Sequence, residues 1–68
     1  MTTQRAFASR LINKLVTINL NGLFIDVIVL DTRDNAETTS KVDLLVKPFN
    51  NGAGTAWINI DKMTAYEN

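Results

Sequence analysis

The segment Val16-Thr17-Ile18-Asn19-Leu20-Asn21-Gly22 constrains the fold of this chain more than any other stretch. Val16, Ile18 and Leu20 alternate with Thr17 and Asn19, the period of a strand with one buried face. Asn21-Gly22 follows without a gap, and both residue types tolerate the positive φ that a two-residue hairpin loop demands. The strand must therefore turn back against Leu23–Leu30. That second stretch is apolar on both faces except at Asp26. It reads as a strand covered on both sides: central in a sheet, bent across a core, or paired against a neighbouring subunit.

The remaining pattern is consistent with a sheet. Thr2 or Thr3 can cap a helix over about Thr3–Ile12, in which Phe7 and Leu11 share a face with Leu15, while Arg5 and Ser9 lie away from it. Asp31–Ser40 is polar without periodicity and reads as a loop or an extended hairpin tip. Over Lys41–Lys47, Val42, Leu44 and Val46 face in, while Lys41, Asp43 and Lys47 face out, with Leu45 breaking the polar face. Pro48 cannot donate to a ladder and marks a strand end or an edge. Asn50–Gly54 is a turn, and Thr55–Ile60 is a fourth strand that turns Ala56, Ile58 and Ile60 one way and Trp57 the other. Asp61-Lys62-Met63 is one tight helical turn, and Thr64–Glu67 is a short last strand. The expectation is an all-β fold: a small five-stranded SH3-like or Sm-like barrel over about residues 14–67, preceded by a short helix, in one domain spanning 1–68. An OB-like barrel lacks room in 68 residues.

Composition removes several function classes. There is no histidine and no cysteine, so neither an imidazole base nor an ordinary zinc site is available, and no metal or other cofactor is expected. Ser9, Ser40 and the threonines have no histidine to activate them, and no Walker-type glycine loop is present, so the chain reads as a non-enzyme. The absence of cysteine suits a reducing cytoplasm, that of a bacterial host if the chain is phage-encoded. No apolar run approaches the ~20 residues of a membrane span. Seven basic and seven acidic residues balance, but Arg5, Arg10 and Lys14 precede every acidic residue, and Asp26, Asp31, Asp34 and Glu37 cluster in the middle. The basic residues can meet phosphates, or the acidic middle of another subunit, or solvent alone.

The alternating strand that ends in Asn21-Gly22 and the spacing of Asp31 and Asn35 in Asp31-Thr32-Arg33-Asp34-Asn35 resemble the first motif of the Sm/LSm family. The chain is also similar to compact, divergent Sm-like proteins of phages and marine metagenomes. The resemblance implies a ring of about five to seven copies that pairs the fourth strand of one with the fifth of the next. It also implies that the loop after the second strand binds single-stranded RNA at the pore, with Arg33 stacking on a base and Asn35 and Asp31 forming the bonding pair. The sequence departs from the family at Ile25, where a glycine is expected, at Asp34, where a methionine is expected, and in Gly52–Ile60, which has no arginine. From the residues alone, Asp31–Asn35 reads equally as a solvated turn.

A 68-residue domain buries only ~60% of its unfolded surface, and self-association is a common remedy. Leu23, Ile28, Leu30, Leu45 and Trp57 each break the polar face of a strand and form the expected oligomer interface. Trp57 faces a partner or fills a barrel corner, and Tyr66 closes the barrel. The alternative to a ring that binds RNA is a small phage or bacterial accessory protein that binds another protein and has no nucleic-acid role.

Overall fold

A computed structural model describes residues 3–50 and 52–67. The element order is α1 (Thr3–Ser9), β1 (Leu15–Leu20), β2 (Leu23–Asp34), β3 (Val42–Pro48), β4 (Ala56–Asn59), a single 3-10 turn at Ile60–Lys62, and β5 (Met63–Tyr66). The strands form one antiparallel sheet in the order β4-β3-β2-β1-β5. The small all-β fold expected from the alternation is therefore present. The sheet is not closed, however: β4 and β5 lie at its two opposite edges and are joined only by the 3-10 turn. That turn packs against both β1 and β3, so the two edges approach at a corner without sharing a ladder.

The β1–β2 hairpin forms as the Asn21-Gly22 signal requires. Both residues take positive φ, 54° and 91°, and Leu20 pairs with Leu23 across the turn. The Asn19 side chain accepts the Gly22 N–H at 2.8 Å, which fixes the turn further. On the inner face Val16, Ile18, Val27, Val29, Val42, Leu44 and Val46 are buried, as the period-two reading places them for β1 and β3. Ala8 and Leu11 from the helical segment and Ile60 from the 3-10 turn complete that core.

Several boundaries differ from the sequence expectation; those of β3, β4 and the 3-10 turn do so by one residue at each end. The helix ends at Ser9 rather than Ile12. After it, Arg10 and Leu11 donate to Phe7 and Ala8, Asn13 takes φ 70°, and its N–H bonds the Val29 carbonyl at 2.7 Å. Pairing with β2 thus outcompetes another helical turn, and Asn is one of the few residue types that enter this backbone region readily. The capping assigned to Thr2 or Thr3 falls on groups outside those described. Strand β2 runs on through Asp34 and pairs with β3, so of the two readings of this segment the extended hairpin holds for Asp31–Asp34 and the loop does not. A register shift between Val29 and Asp31 turns Thr32 inward, where it is buried opposite Leu44, and leaves Asp31 and Arg33 outside. A bulge that changes which residues face the core breaks the hydrophobic pattern, and so this half of β2 resembles a loop in sequence. The last strand starts one residue early, at Met63.

Gly52 lies where the β3–β4 connection crosses Pro48, and a Cβ there would overlap the proline ring. Gly52→Ala is expected to lower unfolding stability by about 1–3 kcal/mol, the usual cost of forcing an extra carbon into an occupied space. Urea denaturation with an unchanged m-value checks this.

Candidate functional site

The most structured polar group of the molecule lies on the outer face of the sheet, centred on Asp43. Alternation along β3 points Asp43 away from the core, yet it is only 4% exposed, because the β2–β3 loop covers it. A buried carboxylate has to be matched by donors, and Asp43 has three. The Arg33 Nε lies 3.0 Å and the Asn35 Nδ2 3.0 Å from its Oδ2. The Asn59 Nδ2 lies 3.3 Å from its Oδ1. Register explains two of these neighbours, since Arg33 and Asn59 are the cross-strand partners of Asp43 on either side. Burial pushes the Asp43 carboxyl up. The hydrogen bonds from Arg33, Asn35 and Asn59, with the guanidinium charge, outweigh that and hold it below its ordinary value.

The network extends from Asn59. Its amide nitrogen also reaches Thr38 Oγ1 at 2.9 Å and the Val42 carbonyl at 3.2 Å. Its oxygen accepts from the buried Ser40 hydroxyl at 2.8 Å and from the Asp61 N–H at 3.0 Å, so it also caps the 3-10 turn. The loop closes through Asn35 N–H to the Lys41 carbonyl at 2.8 Å, with Lys41 at φ 63°. Four segments meet at two side chains: the end of β2, the β2–β3 loop, β3, and the β4–β5 corner. Beside them the Arg33 guanidinium lies 4.2 Å from the centroid of the Trp57 ring. Half of the Arg33 side chain remains exposed, and Trp57 is 37% exposed.

The residues expected to bind RNA are only partly brought together. Arg33 and Asn35 meet, but on Asp43. Asp31 sits opposite Leu45 and accepts the N–H of its neighbour Thr32, with no bond to Asn35. Both ends of the Asn35 amide are engaged, the nitrogen by Asp43 and the oxygen by the Glu37 N–H.

The expected interface residues divide as well. Leu45 and Trp57 are cross-strand partners on the outer face. Ile28 lies between Leu15 and Lys47, Leu30 sits at the bulge, and all three of Ile28, Leu30 and Leu45 are half-buried. Leu23 is 67% exposed, at the hairpin end. Tyr66 packs edge-on against Phe7, with centroids 5.2 Å apart, and so joins α1 to β5. Arg10 is exposed and Lys14 half-buried; with Phe7, Tyr66 and Glu67 they line a shallow cleft at the helix end. The sequence reading missed Asp43, Asn59, Ser40 and Thr38 as a group. The only local signal was an Asn just before a tight turn, a capping residue type.

Among the described residues no group of three acidic, histidine or cysteine side chains is placed to hold a metal, and no helix is long and apolar enough to cross a membrane. No family model, no curated protein and no solved structure matches this chain.

Replacing Asp43 with Ala takes the acceptor from the Arg33 Nε and from the Asn35 amide, while Asn59 keeps Thr38 and the Val42 carbonyl, and is expected to cost about 1–3 kcal/mol of stability. The same carboxylate gives a pH signature. Because its folded value is depressed, its contribution is complete above the ordinary carboxylate range and disappears as pH falls through the folded value. Acid titrations of stability should therefore be shallower for Asp43→Asn than for the wild type, with the difference confined to that acidic window.

Proposed function

We propose that this chain is a non-catalytic, Sm-like module that associates edge to edge with copies of itself, and closes into a ring. The observation that supports this reading is the state of the two sheet edges. Strands β4 and β5 each pair on one side only among the described residues. An unpaired edge is a template for another strand, and monomeric proteins blunt it with charged residues or proline. Neither Ala-Trp-Ile-Asn of β4 nor Met-Thr-Ala-Tyr of β5 contains a charge or a proline. Strand β4 also places Trp57 beside its open edge, supported by Leu45 across the ladder and by Arg33 over its ring. Tryptophan and arginine are the residue types most often found as interface anchors. A head-to-tail contact between two different edges closes into a ring when its rotation permits.

RNA binding at Asp31, Arg33 and Asn35 is not part of this reading. A base would have to displace internal partners from the Asn35 amide and from one side of Arg33. Asp31, Asp34 and Glu37 lie within four residues of Arg33 in the chain, and their negative charge opposes a phosphate backbone.

Light scattering on a sizing column should return a discrete mass of several copies. Leu45→Lys and Trp57→Glu should each reduce that mass while leaving the far-UV spectrum intact. Raising the salt concentration should change it little, because the edge strands carry no charge and the Arg33 beside them is already paired with Asp43. A mass that both substitutions leave unchanged excludes the edge contact. Assembly only with a different protein, from a single-copy starting mass, favours the accessory-protein alternative.

A further inference from the structure

Two cations at the helix end have no counter-charge. Among the described residues, Arg10 and Lys14 form neither an ion pair nor a side-chain hydrogen bond. Both line a cleft of about 330 Å³, with Phe7, Leu11, Tyr66 and Glu67. One wall comes from the N-terminal segment. Phe7, Arg10, Leu11 and Lys14 are three or four residues apart, the spacing that stacks side chains on one side of a helical winding. That winding continues past α1 through the Arg10 N–H on the Phe7 carbonyl at 3.0 Å and the Lys14 N–H on the Leu11 carbonyl at 2.8 Å. The end of β5 supplies the other wall. Tyr66 pairs with Val16, and Glu67 is held at Leu15 by two bonds. Its N–H reaches the Leu15 carbonyl at 3.0 Å, and its Oε1 accepts the Leu15 N–H at 2.9 Å. The edge-on contact of Tyr66 with Phe7 joins the two walls.

We propose that this cleft binds a small monocarboxylate with a body of about one ring, its carboxylate between Arg10 and Lys14 and its body against Phe7, Leu11 and Tyr66. Size supports a ligand of that class. A cavity of ~150 Å³ accepts a benzene ring, and small-molecule sites begin near ~300 Å³, so this cleft takes one ring with its acid group. The lining has the matching chemistry. Apolar walls with a few placed polar groups are the usual make-up of such sites. Tyr66 is 46% exposed and leaves ring surface for stacking. Arginine and lysine form strong, charge-assisted bonds to a carboxylate. Charge selects the acid group. Two cations and the Glu67 carboxylate leave one net positive charge in the cleft, which a carboxylate neutralises. A phosphate ester carries nearly two negative charges, and Glu67 opposes the second. Glu67 itself is engaged by the Leu15 backbone and pairs with neither cation. Every lining residue belongs to one copy, so the site does not depend on the edge contact.

Benzoate titrated into the protein should shift the backbone amide NMR signals of Phe7–Lys14, Tyr66 and Glu67 and reach saturation. Arg10→Gln and Lys14→Gln should each weaken binding about tenfold, the loss expected for one charged hydrogen bond. Lys47→Gln, an exposed lysine of β3 outside the cleft, should leave it unchanged. Benzamide, which keeps the ring without the charge, and acetate, which keeps the charge without the ring, should both bind more weakly than benzoate. The proposal is overturned by the absence of saturable shifts at these residues, by benzamide binding as tightly as benzoate, or by unchanged affinity in the folded Arg10→Gln and Lys14→Gln variants. Phenyl phosphate binding more tightly than benzoate also overturns it, because the cleft would then select a dianion.

Discussion

A buried carboxylate on the outside of the sheet organises the part of this molecule that the hydrophobic core does not reach. Asp43 takes hydrogen bonds from Arg33, Asn35 and Asn59, which belong to three other segments. A charge this far from water is tolerated only when it is fully matched, so the three donors must stay in place together. That requirement fixes the β2–β3 loop over β3, and through Asn59 it fixes the corner between β4 and β5. The position of the edge strands, and of Trp57 on one of them, therefore depends on this polar network together with the packing of Ile58, Ile60 and Met63 on the core.

The arrangement addresses a size problem. With 68 residues the inner face of the sheet supplies a compact core of valines, leucines and isoleucines, but β4 and β5 are only four residues each. Short strands at the margin contribute few ladder bonds. The Asn59–Ser40–Thr38 bonds anchor β4 to the loop, and the Phe7–Tyr66 contact anchors β5 to the helix. Both edges are held from within while their outer sides stay open. Edge pairing would cover surface that a chain of this length cannot bury by itself. At the proposed edge contact, backbone groups are the main attraction and Trp57, with Arg33 over its ring, is the anchor.

The alternation in β1 and β3, the Asn21-Gly22 turn and the tight turn before the last strand were legible in the sequence by itself. They determined an all-β sheet of five strands and the inner faces of β1 and β3, because side-chain period and turn chemistry are local properties. The continuation of β2 through Asp34 was not legible, since a bulge turns Thr32 inward and hides the period. Nor was the Asp43 network: its members lie up to 26 residues apart, from Arg33 to Asn59, and meet only because β2, β3 and β4 align in one register. Leu23, Leu45 and Trp57 were recognisable as apolar surplus, but only the folded sheet placed Leu45 and Trp57 on one ladder and sent Leu23 to the opposite end with Phe24 and Phe49. Sequence determined which residues of β1 and β3 face the core; strand register decided the inner face of β2 beyond the bulge and which outward residues became neighbours, because that depends on pairing between distant segments.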